Sequence, residues 1–487
     1  MSEDRTVVVL AAGEGKRMRS ALPKVLHPLL GRTLLGHVLH AAEPLEAKRS
    51  LVVVGVGAEQ VASYLAEVAP EAEAVLQAEQ RGTGHAVRTA LDAAPDVSGT
   101  VVVMLGDMPM LRSETLTAML DEHDRSGVVA TVLTARVVDP TGLGRIVRDG
   151  SGRVARIVEH RDATPDELAI DEINTGVFAF DAAALRDALG KLSTGNDQGE
   201  EYLTEVLDVF TSSGRAVAAH PVGDAEEGLG ANDRAQLAAL AARLRDRRNT
   251  ELMLSGVSLL DPATTWIDVT VAVEPDATIE PNTQLRGATT IARGAHVGPD
   301  TTLTNVAVGA GAHVVRTHGS DSVIGPRASV GPFAYLRPGT VLDESGKIGT
   351  FVETKNARIG VGSKVPHLTY VGDATLGRDV NIGAATIFVN YDGVNKHHTV
   401  VEDGAFVGCD TSLIAPVTIG AGAYTAAGSA IAEDVPPGSL GITRATQRNV
   451  EGWVERKRPG TKSARHAAAA AERAASAEPA EDGGTQA

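Results

Sequence analysis

The sequence predicts an α/β domain followed by an all-β domain, with one long helix between them. Three observations carry this. Through residue 231, apolar runs of strand length alternate with helix-patterned stretches. From Asn232 to Met253 the chain is rich in Ala, Leu and Arg and holds neither Gly nor Pro. Beyond Ser255, aliphatic residues return at every sixth position, a period that fits neither a helix nor an alternating strand. At 487 residues the chain is also too long for a single core.

In the first domain, Thr6–Leu10, Ser50–Val54 and Val101–Leu105 are continuous apolar runs, as expected of parallel strands covered on both faces. Leu34–Ala42 and Ala58–Val68 carry helical patterns between them. This βαβ alternation predicts a Rossmann-like α/β domain over residues 1–231, with ligands at the carboxyl ends of its strands. Residues 232–254 read as a connecting helical arm, with Asn232-Asp233 as its N-terminal cap.

The third element, residues 255–459, follows from the hexad. The row runs Ile267, Val273, Ile279, Leu285, Ile291, Val297, Leu303 and resets at Val308. It resumes at Ile324, Val330, Leu336, Leu342 and Ile348, and later covers Ile359 to Phe388 and Val401 to Ile431, with Thr425 filling one slot. Six residues make one short strand and one turn. Three such units close a triangular coil whose interior the aliphatic row fills, which is a parallel β-helix. The abundance of glycine (52 residues) and scarcity of aromatics suit such an array of tight turns. The tail, residues 460–487, lacks large apolar residues and is expected to be mostly disordered.

Composition narrows the function. A net charge of −17 argues against nucleic acid and anionic membranes as partners. Any phosphate ligand must then be held by local cationic clusters. The single cysteine, Cys409, excludes a disulfide framework and a cysteine zinc site. The start MSEDRT has no signal-peptide pattern and no apolar run reaches membrane-spanning length, so a cytoplasmic location is expected.

The first strand pattern runs into Leu10-Ala11-Ala12-Gly13-Glu14-Gly15-Lys16-Arg17-Met18. Two glycines allow a phosphate chain to approach backbone N–H groups, and Arg17 and Lys24 add positive charge. Alone, Gly-x-Gly is equally a tight turn. The dinucleotide fingerprint fails at Met18, and no Gly-Lys-Ser/Thr follows. Asp107 follows the strand Val101–Leu105, where a carboxylate can hold Mg²⁺ beside a triphosphate or simply bond its own turn.

With Leu22-Pro23-Lys24, this segment resembles the signature of sugar-phosphate nucleotidyltransferases. The stretch Gln77 to Ala86, containing Gly82 and Thr83, resembles the uracil-recognition loop of the UTP-using branch. Gly142-Leu-Gly144-Arg145, Ile157-Val-Glu159-His160 and Ile173-Asn174-Thr175-Gly176 follow in the order of bacterial UDP-N-acetylglucosamine pyrophosphorylases. The resemblance implies that Leu10, Ala11, Ala12, Gly13 and Lys24 hold the nucleotide together with Gln77, Gly82 and Thr83. It implies that Gly144, Glu159 and Asn174 hold the sugar, that Asn232 joins Asp107 on Mg²⁺, and that Lys24 and Arg17 are catalytic. Asn232 is also a natural helix cap; the two roles are compatible.

In the hexad array, polar residues gather where the register falters. Arg337, Lys355, the off-row His367, Tyr370, Asn381 and the pair Asn390-Tyr391 sit at nearby coil levels. Each alone reads as a surface residue. Together they suggest acetyl transfer to an amine, with a neutral His as base. They resemble the acetyltransferase half of the bifunctional UDP-N-acetylglucosamine pyrophosphorylase/glucosamine-1-phosphate N-acetyltransferase family, and the resemblance spans residues 5–458. It implies left-handed winding, a homotrimer with sites between neighbouring coils, and a supply of cell-envelope precursors. It implies His367 as base, with Arg337, Lys355, Tyr370 and Asn381 on the sugar phosphate. Ala384, Asn390, Tyr391, Cys409, Ala427 and Arg444 would line the acetyl-CoA site, and Cys409 replaces an expected Ser. Two alternatives stay open at this point: a nucleotidyltransferase whose β-helix is only structural, and a non-catalytic UDP-sugar sensor.

Overall fold

The computed structural model describes residues 4–196 and 198–476. Its first part is built on a mixed sheet. Strands lie in the order Val217–Pro221, Ala130–Arg136, Glu172–Asp181, Thr100–Leu105, Arg5–Ala11, Arg49–Val54 and Ala72–Leu76. All neighbours pair in parallel except Glu172–Asp181, which is antiparallel to both its neighbours. That strand arrives from the hairpin Arg145–Arg148/Val154–Val158, which needs no long helical crossover. Val8, Val53 and Val103 pack on one face and Val7, Val9, Val52 and Val102 on the other, so the central strands are apolar throughout.

The arm is a helix over Arg234–Leu254, starting two residues later than the sequence suggests. Asp233 alone caps it, accepting from Gln236 N at 2.8 Å. Asn232 is thereby released from capping. The helix is bolted to both domains. Arg247 Nη1 donates to Met110 O at 2.8 Å, and Arg248 Nη2 donates to Val271 O at 2.7 Å. Fully buried Asn249 donates to Pro262 O and Thr265 O, both at 2.9 Å.

From Ser258 the chain winds as a left-handed parallel β-helix of short strands stacked coil on coil. Thr278 pairs with His296 and Gln284 with Thr302, each three hexads on. Nearly every residue of the aliphatic row is buried, and Val273 is the one that is only partly so. The register resets also have a structural cause. In Thr302–Val308, Glu353–Ile359 and Tyr370–Leu376, a single left-handed residue turns the corner: Asn305 (φ 55), Asn356 (φ 45) and Asp373 (φ 49). Asn and Asp tolerate that conformation better than other residues with a Cβ. At the faltering coil Thr354, fully buried, takes the row position.

The tail departs from expectation. Lys462–Ser476 forms a helix with no buried residue, rather than a disordered segment. Its alanine run has the highest helix propensity of any residue and so needs little packing to stay helical. Residues 477–487 of the expected disordered tail lie outside the described residues.

Candidate active sites

The first site forms at the carboxyl edge of the mixed sheet. Leu10 and Ala11 close the strand Arg5–Ala11, and Ala11 and Ala12 are buried. Gly13 is exposed, and a Cβ there would meet nothing within 4 Å, so its backbone is open to a ligand. Gly15 is left-handed (φ 61), and a Cβ on it would fall 2.7 Å from Lys24 Cβ. The loop is therefore shaped around Lys24. The Lys24 ammonium contacts Asp107 Oδ2 and donates to Asn232 Oδ1 at 3.0 Å. Three residues from distant parts of the sequence thus meet at one point. Arg234 Nε, on the first turn of the arm, donates to Met18 O at 3.1 Å and ties the glycine loop to the helix.

Beside this triad lies a cleft of about 260 Å³, lined by Leu10, Thr83, Asp107, Gly144, Glu159, Asn174 and Asn232 among others. Glu159 is largely buried, which pushes its carboxyl up. Thr204 Oγ1, donating at 3.2 Å, partly offsets this. Asn174 Oδ1 accepts from Gly176 N at 2.8 Å, leaving the Asn174 NH₂ as a donor. Gly144 brings backbone against Glu159: a Cβ there would lie 3.4 Å from its carboxylate oxygens.

Ala11, Ala12, Gly13 and Lys24 border this cleft without lining it, and Gln77, Gly82 and Arg17 also lie outside its lining. Gln77 is buried and spends its Nε2 on Gly82 O at 3.2 Å and His85 Nδ1 at 2.9 Å. Only its carbonyl is left for a base. Gly82 (φ 108) lies against the Glu201 backbone and serves to close this loop. Arg17 is exposed on the short 3-10 turn Lys16–Met18.

The second group lies on the β-helix. Arg337, Lys355 and Gly372 stand on consecutive coils, as the pairing Leu336↔Thr354 and Lys355↔Gly372 shows. Arg337 Nη1 donates to Glu353 Oε1 at 2.8 Å. Lys355 Nζ is 3.9 Å from Asp373 Oδ2. Asn390 Nδ2 lies 3.4 Å from Tyr370 Oη and 2.5 Å from Asp373 Oδ2.

His367, exposed, ends the strand Lys364–His367 on a different sheet, around the corner turned by Leu368 (φ 47). Asn381 lies on that same sheet, paired with Lys364. Ile382, Val407 and Thr425 pair on successive coils. Ala384, Cys409 and Ala427, each two residues further on, therefore form one column. Tyr391 is exposed on the loop between Asn390 and Thr399, and Arg444 is exposed beyond the last coil. One chain thus holds two half-sets: Arg337, Lys355 and Tyr370 with Asn390 on one face, and His367, Asn381 and the small-residue column on another.

The sequence profile of the MobA-like NTP transferase domain matches residues 7–255. Over the whole length, the chain is 57% identical to the bifunctional protein GlmU of Streptomyces coelicolor, covering 95% of this chain and 96% of that protein. It is 56% identical to the bifunctional protein GlmU of Corynebacterium jeikeium, covering 96% and 97%. The chain belongs to the GlmU family. It is a bifunctional transferase of UDP-N-acetylglucosamine synthesis, with uridylyltransferase and acetyltransferase activities in one polypeptide.

Sequence reasoning missed several residues of these GlmU-type sites. Gly230 leaves room beside Asp107: a Cβ there would sit 3.1 Å from Asp107 Oδ2. Gly372 is required on the β-helix, where a Cβ would sit 2.2 Å from Tyr370 Oη and 2.7 Å from Asn390 Nδ2. Asp373 and Lys396 went unnoticed because only the coil stacking brings them to Lys355. The Asn or Asp at five-residue steps of the row was the available signal for the corner residues.

Proposed function

We propose that the β-helix acetylates glucosamine 1-phosphate from acetyl-CoA and that the α/β domain then couples the product to UTP, releasing pyrophosphate. The observation that carries the second step is the meeting of Lys24, Asp107 and Asn232 at the mouth of a cleft lined by Glu159 and Asn174. The sugar phosphate's oxygen attacks the α-phosphorus of UTP, and pyrophosphate leaves with the electron pair. Lys24, with Arg17 at the loop edge, offsets the charge that builds on the triphosphate.

Mg²⁺ fits this site. The carboxylate of Asp107 and the amide oxygen of Asn232 already face one cationic group, the Lys24 ammonium. Two oxygen ligands suffice for Mg²⁺, which takes its remaining ligands from phosphates and water. When bound, it would supply charge neutralisation of the triphosphate. Among the described residues, no cluster of three or more His, Cys, Asp and Glu offers another metal site. Uridylyl transfer should stop in EDTA and return with Mg²⁺, and Asp107→Asn should lower kcat at least about 100-fold. Undiminished pyrophosphate release in EDTA would remove the metal assignment.

For acetyl transfer, His367 takes the proton from the attacking amine, the amine nitrogen bonds to the thioester carbonyl, and CoA leaves as thiolate and is protonated. Arg337, Lys355, Tyr370 and Asn381 hold the sugar phosphate. Ala384, Asn390, Tyr391, Cys409, Ala427 and Arg444 border the cofactor. The two half-sets on different faces of one chain favour a homotrimer in which neighbouring coils complete each site. An exposed apolar corner supports this, with Phe333 and Phe351 stacked at 5.4 Å and Leu368 beside them. Among the described residues no helix is long and apolar enough to cross a membrane.

A further inference from the structure

We propose that Asp373 is a positioning residue for acetyl transfer, fixing the Asn390 amide and offsetting the charge of the paired lysines Lys355 and Lys396. This rests on the acetyltransferase reading of the β-helix site. Asp373 is 8% exposed and turns its corner at φ 49. Its Oδ1 accepts from Asn356 Nδ2 at 2.7 Å, and its Oδ2 accepts from Asn390 Nδ2 at 2.5 Å. An ionised carboxylate only accepts, so it dictates which end of each amide it sees. The nitrogen of Asn390 is held, and its oxygen, at the opposite end of the amide, has no hydrogen-bond partner among the described residues.

The charges point the same way. Lys396 lies on the loop after Asn390, and the like charge of Lys355 pulls its ammonium down. Tyr370, Arg337, Glu353 and Tyr335 are the other titratable groups facing this cluster. Glu353 is committed to Arg337 at 2.8 Å. Asp373 is then the anion left to the two lysines. Burial pushes its carboxyl up, but Asn356, Asn390, Lys355 and Lys396 together hold it below the usual range.

The fold itself supplies a control. Asp321 turns an equivalent corner at φ 44 and accepts from Asn305 Nδ2 at 3.0 Å, but enters no ion pair among the described residues. One acid–amide bond is thus enough to cap a corner of this solenoid. What Asp373 has beyond it, a second amide and two ammonium groups, serves the site.

The test uses the full-length chain with CoA release from acetyl-CoA and glucosamine 1-phosphate. In Asp373→Asn, kcat should fall about tenfold or more, since a neutral amide cannot accept from both asparagines. The alkaline limb of kcat/KM for glucosamine 1-phosphate should move about one pH unit lower, because the lysines lose their counter-charge. Pyrophosphate release from UTP in the same preparation should match wild type and report an intact fold. Asp321→Asn should change neither activity. Asp373→Glu retains the charge and should keep the limb in place even where kcat falls. An unmoved limb and unchanged kcat in Asp373→Asn would overturn the proposal. If that variant does not fold, a shifted limb in Asp373→Glu overturns it and an unshifted one supports it. A wild-type chain that releases no CoA would instead overturn the acetyltransferase reading beneath it.

Discussion

At the scale of single residues, both sites depend on places where a side chain is missing. Gly230 admits Asp107, and Gly372 admits Tyr370 Oη and Asn390 Nδ2. In Gly372→Ala the new methyl must displace Tyr370 or Asn390, so CoA release should fall at least about tenfold while pyrophosphate release is retained. Unaltered CoA release in that variant would show that neither group needs its present position. The nucleotide site was largely legible in the sequence because its motifs are local. The loop Leu10–Met18 and the turn after Leu105 each carry their own chemistry in a few contiguous residues. The β-helix site was half legible. His367 stood out because the aliphatic row did not need it. Asp373 and Lys396 did not, since their partners are set by coil stacking, and short-range spacing says nothing of which residues a solenoid brings together.

At the scale of elements, the hexad row was readable because each aliphatic residue must fill the same interior. The corners were not, because a five-residue step looks like a fault until the left-handed Asn or Asp that makes it is seen. The arm was also misread by two residues: Asp233 outcompetes Asn232 for the cap, which frees Asn232 to meet Lys24. The hairpin Pro28–Leu29/Arg32–Thr33 shows how elements couple the domains. Leu30 O accepts from Val269 N at 3.0 Å, and Gly31 (φ 87) lies against Asp268. His37 holds this hairpin by donating Nε2–H to Leu29 O at 2.8 Å. Burial lowers the His37 imidazole to about 4. In the unfolded chain it protonates near 6.5, so unfolding takes up a proton between those values and stability falls as pH drops through this window. The loss from pH 7.5 to 5 should amount to about 2 kcal/mol. Denaturation of His37→Gln at the two pH values should show a decline smaller by about that amount. An equal decline in both proteins would mean that His37 is not held neutral.

At the scale of the whole molecule, the chain carries two sites on two folds, joined by a helix bonded to both. Because His367 and Lys355 lie on different faces of one β-helix, the proposed trimer should show complementation. Chains carrying Lys355→Ala and chains carrying His367→Ala should each be inactive in acetyl transfer. Co-assembled, they should recover a measurable fraction of wild-type CoA release. No recovery in trimers shown to be mixed would place both residues of each site on one chain.

In the proposed mechanism the regular coils form a frame, and their irregularities form a second catalytic site independent of the first. Measuring CoA release and pyrophosphate release side by side on His367→Ala tests this most directly. CoA release should fall to background while uridylyl transfer from UTP and N-acetylglucosamine 1-phosphate stays at the wild-type rate. Retention of CoA release would contradict the assignment of the base, and joint loss of both activities in folded protein would contradict the independence of the two sites.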